Sequence, residues 1–181
     1  MVLKKICVFC GSSEGADPER MEMASKFGKY LGENNYGIVF GGGSVGLMGA
    51  VADACLEVGG KVWGVIPQTL VDAEVGHQGL TELEIVDSMH QRKERMYQLS
   101  DAFVGLPGGW GTFDEMFEIM TWRQLGLHQK PIALFNHKGY YTSLFEQMDN
   151  MISEGFVKAA HHHILDRLDE FEELLQWLPE N

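Results

Sequence analysis

The sequence predicts an α/β protein of one domain, residues 1–181: a doubly wound parallel sheet with helices on both faces. Three observations carry that expectation. Short, wholly apolar runs such as Gly37-Ile38-Val39-Phe40 suit strands buried on both faces, as in a parallel sheet. These runs alternate with stretches whose apolar residues recur at helical spacing, which is the order of βαβ units. The 22 glycines cluster at the ends of the apolar runs, where tight βα turns need them.

In chain order, residues 4–10 form the first strand and run into Gly11-Ser12-Ser13. Asp17 is the expected N-cap, with Pro18 in the first turn, of a helix reaching about Asn34. Met21, Ala24, Phe27 and Leu31 are its expected buried stripe. The second strand, residues 37–40, is followed by Gly41-Gly42-Gly43-Ser44-Val45-Gly46, which matches G-x-G-x-x-G, and by a helix over residues 47–58. A dinucleotide is nevertheless rejected. The motif follows the second strand rather than the first, and the next strand, residues 61–66, ends in Pro67-Gln68 without a ribose-binding acid. Gly42 and Gly43 are read instead as tight βα packing and, with Ser12, as part of a ligand floor. Residues 67–80 make a polar loop long enough to be functional, and residues 82–86 another extended segment.

Ser88 opens the next helix, with Gln91 completing a capping box. Met89, Arg92, Met96 and Leu99 share one stripe of it, so the Arg92 guanidinium turns inward and needs an anion, either a ligand or a structural carboxylate. Residues 102–106 read as a buried strand, leading into Pro107-Gly108-Gly109-Trp110-Gly111-Thr112 and then a helical pattern over residues 113–120. A glycine turn from strand to helix brings backbone N–H groups to a helix N-terminus, where an anion binds readily. No Gly-Lys-Ser/Thr closes the turn, so it is not a P-loop, and a nucleoside monophosphate suits it better than a triphosphate. Thr112-Phe113-Asp114-Glu115 also fits a capping box with Thr112 as N-cap. Spacing alone therefore leaves Glu115 open between capping and chemistry.

Further on, residues 131–135 are one more buried strand, residues 140–154 a helix, and His163-Ile164-Leu165 a short last strand. Asp169 is the expected cap of a final amphipathic helix ending near residue 178. His161-His162-His163 are not read as a metal site, because consecutive residues diverge too far to chelate. Cys7 and Cys10 form a C-x-x-C on a strand, where positions three apart face opposite sides; with Cys55 they are read as core cysteines. Three cysteines give no disulfide framework, which suits a reducing cytoplasm, and Met1-Val2-Leu3-Lys4-Lys5 leads straight into a strand rather than a signal peptide. No apolar run approaches the roughly 20 residues of a membrane helix. A net charge of −12 argues against a nucleic-acid or anionic-membrane partner, so a nucleotide would need a local positive pocket in an acidic body.

The stretch from Pro107 to Glu115 resembles the Pro-Gly-Gly-x-Gly-Thr-x-x-Glu signature of the LOG (Lonely Guy) family of cytokinin riboside 5′-monophosphate phosphoribohydrolases. Cys10-Gly11-Ser12-Ser13, Gly41-Gly42-Gly43-Ser44-Val45-Gly46-Leu47-Met48-Gly49 and Met89-His90-Gln91-Arg92-Lys93 also resemble family motifs, so the likeness spans nearly the whole chain. It implies a Rossmann-like fold, a homodimer, and hydrolysis of the N-glycosidic bond of N6-modified adenosine 5′-monophosphates and AMP, with no cofactor and no metal. It further implies Arg92 and Glu115 as the catalytic pair, and Glu74, Lys93, Gly109, Trp110, Gly111, Thr112 and Thr121 as nucleotide contacts. In that chemistry Glu115 would stabilise an oxocarbenium-like transition state and act as base toward water. Arg92, a poor proton donor, would do electrostatic work on the phosphate or the departing purine. Family members have carried the label lysine decarboxylase, yet no pyridoxal-phosphate lysine site can be recognised. The competing class on the same fold is a non-catalytic nucleotide or cofactor carrier, resembling the molybdenum-cofactor carrier proteins.

Overall fold

The computed structural model describes residues 3–71 and 76–178. The strands are β1 (Lys5–Phe9), β2 (Gly37–Phe40), β3 (Val62–Pro67), β4 (Glu82–Val86), β5 (Ala102–Gly105), β6 (Ile132–Phe135) and β7 (Asp166–Leu168). The helices are α1 (Glu19–Glu33), α2 (Gly46–Glu57), α3 (Met89–Leu99), α4 (Trp110–Gln124), α5 (Thr142–Ser153) and α6 (Phe171–Trp177). Among the described residues the strands form one sheet in the order β4-β3-β2-β1-β5-β6-β7, with every pair parallel. The chain winds outward from β1 to β4, returns to lay β5 on the other side of β1, and winds outward again to β7. The β1/β5 junction is thus the topological switch point, and the crevice at the carboxyl ends of its strands is where open α/β sheets bind ligands.

Both faces of the sheet are covered, as the apolar strands require. On one side Ile6, Val8, Ile38 and Phe40 pack with Phe27 and Leu31 of α1, Val51 and Cys55 of α2, and Leu174 of α6. On the other, Cys7, Phe9, Val39 and Phe103 meet Met96 of α3 and Met116 and Ile119 of α4. Cys7 and Cys10 belong to opposite clusters, as strand alternation predicts. All three cysteines are buried and unbridged.

Several local expectations are corrected. The buried stripe of α1 is Met23, Ala24, Phe27, Gly28 and Leu31, with Met21 only partly covered at its edge. Asp17 stands one residue before the Pro18 cap, and its carboxylate accepts the Glu19 N–H at 3.0 Å. At α3 the Ser88 hydroxyl accepts from Gln91 N–H at 3.2 Å, whereas the Gln91 side chain reaches back to Asp87 N–H rather than to the cap itself. The last strand lies three residues later than expected, because His161, His162 and His163 fall in a 3₁₀ turn, Ala159–Ile164. Buried Ile164 and Leu165 then lead the chain into β7. At α6, Glu170 and Glu173 make the capping box, since the Asp169 carboxylate is engaged by Arg167 and by Asn136 Nδ2.

The correction that matters for function concerns α4. It starts at Trp110 with Gly109 as N-cap, so Thr112 is its third residue and Glu115 lies in its second turn. Thr112 therefore caps nothing and the Thr112/Glu115 capping box does not form. Gly109 is extended in ψ and is the last non-helical residue. Its carbonyl takes the first helical bond, from Phe113 N–H at 3.1 Å.

Candidate active site

Three loops are laced together at the switch point. Gly11 N–H donates to the Pro107 carbonyl at 3.1 Å, and Leu47 N–H to the Gly11 carbonyl at 3.1 Å. Between these loops opens a cavity of about 610 Å³, lined by Ser12 after β1, by Leu47 and Met48 of α2, by Met89 and Arg92 of α3, by the 107–112 turn, and by Glu115 and Tyr140.

Arg92 enters from α3 and is 4% exposed. Its Nε donates to the Val65 carbonyl at 3.1 Å and its Nη2 to the Gly41 carbonyl at 2.8 Å. Backbone carbonyls at the ends of β3 and β2 thus share the work the sequence assigned to an anion. A Cβ built on Gly41 would stand 1.9 Å from Arg92 Nη2, so a side chain there would displace the guanidinium from this seat. A guanidinium seated this way is fixed in direction.

Glu115 comes from the second turn of α4, three residues beyond Thr112 and therefore on the same helix face. Its charge is felt at the end of β1: burial first, and then Glu115, pushes the Cys10 thiol well above the usual cysteine range. Cys7 is raised for the same two leading reasons. Both thiols therefore stay protonated and take no part as nucleophiles.

The 107–112 turn is held by two adjacent tyrosines. Tyr140 donates its hydroxyl to the Gly108 carbonyl at 2.6 Å, and buried Tyr141 donates to the Leu106 carbonyl at 2.6 Å. Gly108 is required by the protein itself, because a Cβ there would fall 2.0 Å from Thr112 Oγ1. Gly109 and Gly111 are different: a Cβ on either meets nothing within 4 Å, so the space beside them is open. The N–H groups of Trp110, Gly111 and Thr112 precede the first helical bond and have no intrahelical acceptor. Three donors, the positive end of a 15-residue helix and open space make this turn fit for an oxyanion.

Other expected site residues fall elsewhere. Gly42 and Gly43 do not line the cavity: Gly42 accepts His77 N–H at 2.9 Å, and Gly43 bridges to Gly76. They anchor the returning loop. Lys93 lies beside the cavity, its ammonium between Asp114 Oδ2 at 3.1 Å and Glu118 Oε2 at 3.2 Å. Burial works against that charge, but the two carboxylates outweigh it and raise Lys93 above the usual lysine value. Thr121 is exposed on α4, about 16 Å along the helix from Trp110 at 1.5 Å per residue, and does not reach this cavity. Glu74 lies outside the described residues. Among the described residues no His/Cys/Asp/Glu cluster could hold a metal, and no helix is long and apolar enough to cross a membrane. Among the lining residues not expected from the sequence are Arg20, in the first turn of α1, and Tyr140.

Comparison with known proteins bears on this geometry. A family model described as possible lysine decarboxylase matches residues 48–178. An Arabidopsis thaliana protein named cytokinin riboside 5′-monophosphate phosphoribohydrolase LOG7 is 45% identical over 177 residues, covering 98% of this chain and 82% of its own. LOG1 of the same plant, named for the same reaction, is 44% identical over 175 residues, covering 97% and 82%. The chain belongs to the LOG family. In this LOG-family member Arg92, Tyr140 and the 107–115 stretch fall within the matched region, while the cavity residues at 10–17, 20 and 47 precede it. Among solved structures, the molybdenum cofactor binding protein of Rippkaea orientalis is 18% identical with a TM-score of 0.73, covering 97% of this chain and 95% of that one. The molybdenum cofactor carrier protein of Chlamydomonas reinhardtii is 15% identical with a TM-score of 0.72 and the same coverage. At such identities the likeness shows that the LOG family shares its fold with carriers, and no more.

Proposed function

We propose that the chain hydrolyses the N-glycosidic bond of cytokinin riboside 5′-monophosphates, which are N6-modified adenosine nucleotides, and of AMP, releasing free base and ribose 5-phosphate. The observation that carries this reading is the meeting of Arg92, Glu115 and an open glycine turn in one cavity, in a chain 45% identical to a relative named for that reaction. Gly109, Trp110, Gly111 and Thr112 hold the 5′-phosphate through backbone N–H groups and the Thr112 hydroxyl. Arg92 is bonded to the ends of β2 and β3, while the turn follows β5. β5 and β2 lie two strand spacings apart, about 10 Å, so a nucleotide with its phosphate on the turn brings its departing purine toward Arg92.

Cleavage places positive charge on the sugar ring. The Glu115 carboxylate stabilises it and accepts a proton from the attacking water as the C1′–N9 bond breaks. The water oxygen ends on C1′, and the departing base takes a proton from solvent. Arg92 gives no proton and acts by its charge.

The same reading makes the protein a cytoplasmic homodimer. Lys93 and Thr121, given as nucleotide contacts by the family resemblance, lie outside the chain's own cavity on the α3/α4 face. That face exposes Trp110, Phe117, Leu125 and Leu127, an apolar set suited to a second copy. Glu74 keeps the nucleotide contact that the resemblance gives it. Incubation with AMP and with isopentenyladenosine monophosphate, followed by chromatography, should yield free base from both. Tight nucleotide binding with no base released would instead identify a carrier.

A further inference from the structure

An acidic chain that binds a nucleotide monophosphate needs a cation near the phosphate, and the cavity offers few. Among its described lining residues the only cationic side chains are Arg20 and Arg92, against the carboxylates of Glu14, Asp17, Asp114 and Glu115. Arg92 sits at the β2/β3 side, with Nε and Nη2 given to carbonyls. Arg20 rises from the first turn of α1 and is built differently. Its Nη1 alone is anchored, donating to the His137 carbonyl at 2.6 Å and to His137 Nδ1 at 3.0 Å. Its Nε and Nη2 make no hydrogen bond among the described residues, which leaves one edge of the fork for a ligand. The guanidinium lies 5.3 Å from the centre of the Tyr140 ring, and the hydroxyl of that ring is bonded to Gly108 of the turn. One aromatic ring thus separates Arg20 from the open turn.

The neighbours preserve this charge. Lys138 draws off both nearby carboxylates, Asp17 at 3.0 Å and Glu19. Burial, then Arg20 and Lys138, holds His137 below the usual histidine value, so its ring accepts from Nη1 without adding a competing positive charge.

We infer that Arg20 binds the 5′-phosphate of the substrate, its free edge closing over an oxyanion whose other side rests on the Trp110–Thr112 amides. This rests on the phosphoribohydrolase reading of the cavity. It goes beyond it by assigning the ligand's charge to a side chain of α1. A planar fork with two vacant donors suits a phosphate bidentately, which a lysine at the same place would not.

The test is calorimetric titration of wild type, Arg20→Ala and Arg20→Lys with ribose 5-phosphate and, separately, with adenine, alongside turnover of AMP. Arg20→Ala should raise the ribose 5-phosphate Kd and the AMP KM at least about tenfold, the equivalent of one charge-assisted hydrogen bond. Adenine affinity should be unchanged, and Arg20→Lys should recover only part of the loss. Unchanged ribose 5-phosphate affinity in Arg20→Ala would overturn the assignment while leaving wild-type base release intact. Equal loss of adenine and ribose 5-phosphate binding would also overturn it, by making Arg20 a prop for the 137–140 turn. Failure of the wild type to cleave AMP or bind ribose 5-phosphate would strike the reading beneath it.

Discussion

Two glycine-rich turns leave the same edge of the sheet, residues 41–46 after β2 and residues 107–112 after β5, and they differ in what fills the space beside their glycines. In the first, the protein fills it. Arg92 occupies the place of a side chain at Gly41, and a Cβ on Gly46, which has φ +58°, would fall 2.4 Å from the Ser12 backbone. In the second, only Gly108 is spoken for, while Gly109 and Gly111 front open space at a helix N-terminus. The turn that matches G-x-G-x-x-G is thus filled by the protein's own packing, and the one without that spacing leaves open space at a helix N-terminus, which is what the proposed anion site requires. A glycine pattern records where side chains are absent; the occupant of the gap decides the meaning.

Mutations can break or sharpen that contrast. The largest effect belongs to the chemistry beside the second turn. Glu115→Gln should lower base release by about 10²–10⁴-fold, the worth of a general base, with nucleotide affinity and melting temperature nearly unchanged. Near-normal turnover would remove Glu115 from the chemistry. Next comes Gly41→Ala, where the added methyl must push the Arg92 guanidinium off the Gly41 carbonyl. A stability loss of roughly 1–3 kcal/mol, read from urea midpoints, should accompany a fall in turnover. A stable, fully active variant would show that the Arg92 seat is dispensable.

Gly111→Ala should do the reverse. The new methyl meets no protein atom and alanine favours a helix, so the melting temperature should hold or rise slightly. The KM for AMP should rise several-fold because the methyl enters the ligand's space. If KM stays put, the gap at Gly111 is not where the phosphate lies.

The smallest effect is a pH dependence confined to the β5–β6 side. Burial leads in holding both His128 and His137 below the usual histidine value, so the fold favours their neutral forms. Their contribution is complete above about pH 6.5 and is lost as pH falls toward their depressed folded values, because the unfolded chain then binds more protons. Asp17 and Asp169, held down chiefly by Lys138 and Arg167, withdraw support only in a lower window, below about pH 4. Urea midpoints from pH 7.5 to 5 should decline for the wild type and less for His128→Gln. A flat wild-type profile would contradict the burial argument.

The order of the elements was legible because each strand announces itself as an apolar run and each helix by its period. Arg92 was found the same way, as a charge on an apolar stripe. The start of α4 was misread because a glycine N-cap has no side chain to signal it, and Thr112-x-x-Glu115 imitated a box that the helix had already passed. Gly42 and Gly43 were assigned to the ligand because their partners, residues 76 and 77, come from a loop more than 30 residues away. Arg20 left no trace for a similar reason: its meaning depends on His137 and Tyr140, over 110 residues later.

The tyrosine pair at 140 and 141 has a consequence for what the β5 turn can accept. By donating to the carbonyls of Leu106 and Gly108, the two hydroxyls occupy two of the turn's acceptors. Burial raises the Tyr141 hydroxyl far above the usual phenol range, so it stays a donor at any physiological pH. The N–H groups of Trp110, Gly111 and Thr112 are left without an intrahelical acceptor. An anion bound there would meet amides already aimed by bonds made when the chain folded. Little ordering remains to be done on binding, so most of the turn's grip can go to positioning the sugar.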